Sequence, residues 1–226
     1  MVSTTTTLHQ DEISGGPSSA LVRKYSLETV HKMKADVLSA TVSQGPRCAV
    51  GVSIGLAKDG PRIRTLALAT RDNIFHLVLH NPPSPAQKRI LQKLFSVNSI
   101  LNGFEFPYTM ILLAHTLGCD VSGHDLSTIT LGSKVGNIVT PGTLINAKNP
   151  LACAKRIDER WDSCQPGSET KSTDTLEPDY CLRAWITAMC LSIFYSPLKP
   201  LTPSLQRCRH GFGRVTDQSV TEHKVS

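Results

Sequence analysis

Arginine and lysine are the residue types whose placement first suggests chemistry. Arg62, Arg64 and Arg71 stand at the edges of two apolar runs, and Lys88, Arg89 and Lys93 fall on the outer face of a helical stretch. Guanidinium and ammonium groups so placed neutralise phosphates, and nucleic-acid backbones are bound largely through that term. The whole chain leans the same way. Its 24 Lys and Arg against 18 Asp and Glu give a formal charge of +6, which favours a polyanionic partner. Cys208-Arg209-His210 with His223 has the residue types of a metal site but no second ligand pair. His76, His80, His115 and His124 share no spacing, and His76 and His115 stand among apolar neighbours and read as packed side chains. Neither G-x-S-x-G nor a cysteine beside a histidine marks a nucleophile. Gly211-Phe212-Gly213 is a lone G-x-G and makes no phosphate loop.

The elements that would hold these groups follow from periodicity. Residues 1–24 are rich in Ser, Thr and Gly and are expected to form a flexible leader. From Ser26, Leu27, Val30, Met33 and Val37 share one face of a helix. Cys48 to Leu56, Ile63 to Thr70 and Ile74 to His80 read as three strands joined by the turns Lys58-Asp59-Gly60-Pro61 and Arg71-Asp72-Asn73, an antiparallel meander. A helix to Phe95, a short strand Ser99 to Phe104 and a helix Tyr108 to Leu117 ended by Gly118 come next. Residues 132–178 read as loop with one helix from Pro150 to Trp161, and Asp179 to Tyr195 is the strongest helix. The prolines at 197, 200 and 203 then end regular structure. One α/β domain over 25–197, with a mixed sheet whose first three strands are antiparallel and helices on both faces, is expected, followed by a flexible tail over 198–226.

Composition narrows the classes. Apolar residues make up 40% and charged residues 19%, enough for a buried core. The longest apolar stretch, Ala184 to Tyr195, is too short to span a bilayer. The seven cysteines are odd in number and several lie in apolar runs, as expected of reduced thiols in an intracellular chain, in nucleus or cytoplasm. No secretory leader and no membrane partner are expected.

The order of segments carries a resemblance. Ala49-Val50-Gly51-Val52-Ser53-Ile54-Gly55 precedes Leu66-Ala67-Leu68-Ala69-Thr70 and Asn73-Ile74-Phe75-His76-Leu77; then come Ile100-Leu101-Asn102-Gly103-Phe104-Glu105, Asp125-Leu126-Ser127, and Leu176-Glu177-Pro178-Asp179 leading into Leu182-Arg183-Ala184-Trp185-Ile186-Thr187-Ala188. Over residues 46–196 this resembles the ribonuclease H-like 3'-5' exonuclease domain of the ribonuclease D and Werner-type branch. The resemblance implies a two-metal phosphodiester hydrolase. Four carboxylates hold Mg²⁺ or Mn²⁺, and a Tyr orients the attacking water.

At the matching positions this chain has other residues. Ser53 and Gly55 stand where the family has Asp-x-Glu, Thr109 where it has the second-motif Asp, and Arg183 and Thr187 where it has the Tyr and Asp of the last motif. Hydroxyls and a hydrogen cannot offset the charge of two divalent ions. The expectation is a catalytically degenerate module with no metal and no cofactor, which binds nucleic acid through Arg62, Arg64, Arg71 and Arg183. An active exonuclease with relocated acids, Glu105 first and then Asp125 and Asp179, and a protein-interaction scaffold are the alternatives.

Overall fold

Residues 49–57 and 60–69 interleave large apolar with small residues, a pattern that puts a strand between two layers. The computed structural model describes residues 5–9, 17–44, 49–57, 60–95, 100–118, 121–128, 139–147, 153–162 and 176–194. Seven strands, β1 (Thr5–His9), β2 (Ser19–Ser26), β3 (Ala49–Ala57), β4 (Gly60–Ala69), β5 (Asn73–Val78), β6 (Ile100–Gly103) and β7 (Gly123–Asp125), form one sheet in the order β1-β2-β5-β4-β3-β6-β7. β3, β4 and β5 are the antiparallel meander expected from the sequence, with Val52 opposite Leu68 and Leu68 opposite Phe75. β6 lies parallel to β3, β7 parallel to β6, and β2 parallel to β5. The sheet is mixed and the class is α/β.

Helices cover both faces. Helices α1 (Val30–Gln44), α2 (Pro85–Phe95) and α3 (Phe106–Leu117) bury Met33, Leu91, Phe106 and Met110 against Val50, Val52, Leu66 and Leu68. On the other face α4 (Pro141–Asn146), α5 (Ala154–Asp162) and α6 (Leu176–Phe194) enclose Ile145, Ile157, Trp185 and Met189 with Ala67, Ala69 and Ile74. α6 is buried all round between residues 180 and 191, as a helix apolar on every side must be. It lies close to the sheet because β3 has glycine beneath it. A Cβ on Gly51 would sit 2.0 Å from the Ala184 carbonyl oxygen.

The expected leader over 1–24 is corrected where the structure describes it, at 5–9 and 17–24. β2 is integral to the sheet, burying Ala20, Val22 and Tyr25, and the Tyr25 hydroxyl donates to Asp36 of α1 at 2.5 Å. Its pairing partner β5 is some fifty residues away in sequence, so the local Ser/Thr/Gly composition did not disclose it. β7 and α4 were also not expected, and the helix read over 150–161 forms at Ala154–Asp162. The tail over 198–226, with Cys208, His210 and His223, lies outside the described residues.

Gly118 ends α3 as expected, in the left-handed region at φ 62°. Cys181 and Cys190 are buried, Cys190 pushed well above its usual range by desolvation, while Cys153 is exposed. Among the described residues no helix is long and apolar enough to cross a membrane.

Candidate functional site

β6 pairs with β3 only as far as Gly51 and ends at Gly103. Beyond that point the edge of β3 from Val52 to Leu56 faces a cleft of about 190 Å³. Ser53 and Ile54 form its floor, Glu105, Tyr108 and Thr109 of the β6–α3 junction one wall, and Arg183 of α6 with Trp161 of α5 the other. Four residues singled out from the sequence, Ser53, Glu105, Thr109 and Arg183, therefore converge.

Arg183 is the charged group of the wall. It is 8% exposed, and its guanidinium carbon lies 4.2 Å from the centroid of the Trp161 ring, a cation–π arrangement worth roughly 0.5–2 kcal/mol. Trp161 in turn meets Phe104 edge-on, with centroids 5.1 Å apart. Asp158 fixes α5, and so Trp161, in place. It accepts from the Gly142 backbone N–H at 2.7 Å and from the Thr140 hydroxyl at 2.8 Å, at the start of α4. The sequence alone gave Trp161 no site role, because its partners Phe104 and Arg183 are distant in the chain.

Glu105 is exposed at the mouth of the cleft and holds a positive φ of 52° as the residue before α3. A side chain there costs about 1–2 kcal/mol, against about 0.5–1 kcal/mol for the extra freedom of glycine in the unfolded chain. Glu105→Gly is therefore expected to raise unfolding stability by about 0.5–1 kcal/mol in urea titration. A loss instead would mean that the carboxylate makes a stabilising contact. Asp125 is turned away from the cleft's residues, accepting from the Ser127 backbone N–H at 3.1 Å and from its hydroxyl at 2.6 Å. It shapes the turn after β7. The side chain of Asp179 lies outside the described residues.

Gly55 and Thr187 do not reach the cleft. A Cβ on Gly55 would meet the Thr65 hydroxyl oxygen at 2.3 Å and the Tyr180 ring at 2.7 Å. Thr187 is fully buried, donates to the Arg183 carbonyl at 2.9 Å and packs over Gly51. Arg62 and Arg64 are exposed on β4 and line a second cavity with His80 and His115. His115, expected to be packed, is thus a surface residue, whereas His76 is fully buried. Arg71 lies at the far end of β4 with its guanidinium 3.9 Å from Asp72, and its carbonyl accepts from the Trp185 indole N–H at 2.8 Å. Arg183 thus lines the cleft, Arg62 and Arg64 the second cavity, and Arg71 neither.

No protein-family model and no curated protein matches the chain. Solved structures do. RNase D of Trypanosoma brucei superposes with a TM-score of 0.52 at 15% identity, covering 78% of this chain and 65% of that one. This chain thus spans a little under two thirds of the RNase D chain. The Nibbler EXO domain of Aedes aegypti matches at a TM-score of 0.44 and 13% identity over 75% of this chain and 83% of that one. The chain shares its fold with the RNase D structure.

A two-metal centre does not fit the residues that this fold brings together here. Among the described residues no three His, Cys, Asp or Glu side chains group as metal ligands. Among the described residues, the cleft's lining offers one carboxylate, Glu105, against the guanidinium of Arg183. The space a carboxylate at position 55 would need is filled by Thr65 and Tyr180. Two divalent ions bring four positive charges, and hydroxyl oxygens and one acid cannot offset them beside a fixed cation.

Proposed function

We propose that this chain is an exonuclease-like domain that binds nucleic acid and does not cleave it. The observation that carries the reading is Arg183, a guanidinium held over Trp161 in the cleft where Ser53, Glu105 and Thr109 also converge. A buried, stacked guanidinium is a phosphate ligand by geometry and charge. Ser53 and Thr109 add hydroxyls at the same place. At about 190 Å³ the cleft is smaller than the roughly 300 Å³ at which small-molecule pockets begin. It suits a phosphate and the end of a strand rather than an enclosed nucleotide. An intracellular setting, nucleus or cytoplasm, goes with such a partner.

The test is binding and cleavage of a fluorescent single-stranded oligonucleotide. Wild type is expected to bind with affinity that falls as salt rises, and to release no nucleotide with Mg²⁺ or Mn²⁺. Arg183→Glu is expected to weaken binding about 10- to 100-fold, the loss of a charge-assisted hydrogen bond plus repulsion. Circular dichroism melting controls for folding. Metal-dependent release of nucleotides would overturn the non-cleaving reading, and absence of binding at low salt would overturn the nucleic-acid one.

A further inference from the structure

α3 touches two cavities, not one. Tyr108 and Thr109 line the cleft, and His115 and Thr116 line a second cavity of about 510 Å³. Each of the latter lies seven residues after its counterpart, so both pairs project from the same side of the helix. Tyr108 and the intervening Ile111 are 55% and 51% exposed, among the few large apolar side chains left in solvent. The hairpin opposite repeats the arrangement. Leu56 lines the cleft, and its cross-strand partner Ile63 lines the second cavity.

The second cavity is basic by construction. Arg62, Arg64, His80 and His115 line it, and no carboxylate is among its described lining residues. The two arginines owe their places to irregular pairing. Gly55 opposes Thr65, Leu56 opposes Ile63 and Ala57 opposes Gly60, so Arg64 is the extra residue of one bulge and Arg62 falls in the next. Bulges re-aim side chains at the rims of sites. Here they release both arginines from the apolar alternation of β4. The Arg64 carbonyl is meanwhile taken by the Leu79 N–H at 2.7 Å, which fixes the bulge to the segment that forms the other wall.

We infer that the cleft and the basic cavity are two subsites of one single-strand track along α3. The strand's end is held at Arg183, a base stacks on exposed Tyr108, and phosphates further along are held by Arg62 and Arg64. Seven helical residues separate the two subsites by about 10 Å, the rise of about three stacked nucleotides at 3.4 Å each. Aromatic platforms joined to cationic grooves are how sequence-tolerant single-strand binding is built. The inference rests on the proposed nucleic-acid reading and adds ligand class, length and path.

Length dependence tests it apart from that reading. Fluorescent oligothymidylates of two and eight nucleotides and thymidine monophosphate are titrated into wild type and Arg62→Ala/Arg64→Ala. The double variant is expected to bind the octamer about ten-fold more weakly and to lower its salt slope by about 1.4, at 0.7 per phosphate contact. Dimer binding should stay as in wild type. Arg62→Lys/Arg64→Lys should keep most of the octamer affinity, which separates lost charge from lost folding. Unchanged octamer affinity in the alanine variant would overturn the track and leave the reading of the cleft standing. A matching loss for the monophosphate would overturn it as well, showing a pocket for small phosphorylated molecules. Failure of wild type to bind the octamer would remove both.

Discussion

Trp185→Ala is expected to cost about 3–5 kcal/mol of unfolding free energy, the range for deleting a fully buried large aromatic. Trp185 is fully buried in the middle of α6, in the cluster that joins Ala67, Ala69 and Ile74 of the sheet to Ile145 and Ile157 of the outer helices. Its indole N–H also donates to the Arg71 carbonyl at 2.8 Å, tying α6 to the β4–β5 turn. The turn is exposed, so water can replace that bond, and the cavity is the dominant loss. Trp185→Phe keeps much of the volume and should cost about 1–2 kcal/mol, near the value of the single hydrogen bond with a smaller void. At the roughly 2–4 °C per kcal/mol of a chain this size, the alanine variant should melt about 6–20 °C below wild type. Urea titration gives the free energies directly. A loss under 1 kcal/mol would mean that α6 is not packed into the sheet as described, and the position of Arg183 on the same helix would go with it.

What was legible in the sequence follows the reach of each interaction. α6 was legible because a helix apolar on all sides has few alternatives to burial, and the meander β3–β5 because its turns are local and its pairing is between neighbours. β2 was not, since it is held by parallel pairing to β5, remote in sequence, and β7 was not, since three residues are too few to show an alternation. The bulge at Arg64 interrupts the strict alternation that a regular strand over Ile63 to Thr70 would have. Ile63 belongs with Leu66 and Leu68 on the α1–α3 side, not with Ala67 and Ala69. That one register shift is what separates Arg62 and Arg64 from an ordinary solvated edge, and no local residue type announces it. The cleft was legible in part. Ser53, Thr109 and Arg183 were placed by segment order and do meet there. Trp161 was invisible because α5 is carried to the cleft by Asp158 at the start of α4.

Placing a carboxylate at position 55 should fail for a reason of packing rather than chemistry. Gly55→Glu must place a Cβ 2.3 Å from the Thr65 hydroxyl and 2.7 Å from the Tyr180 ring. Neither neighbour can yield easily. Thr65 is buried on the paired strand, and Tyr180 is buried on α6, whose distance from β3 is set by the contact of Gly51 with the Ala184 carbonyl. Overpacking of this kind costs about 1–3 kcal/mol, and a buried carboxylate without a partner adds a comparable amount. The variant is therefore expected to lose about 3–5 kcal/mol in urea unfolding. Gly55→Ala isolates the steric part and should lose about 1–2 kcal/mol. Gly51→Ala should lose more than Gly55→Ala, because its Cβ meets helix backbone at 2.0 Å instead of side-chain atoms. If Gly55→Glu together with Ser53→Asp, Thr109→Asp and Thr187→Asp instead folds with near-native stability and gains Mg²⁺-dependent cleavage, α6 can stand back from the sheet. The filled space at position 55 would then no longer help to explain why a two-metal centre does not fit here.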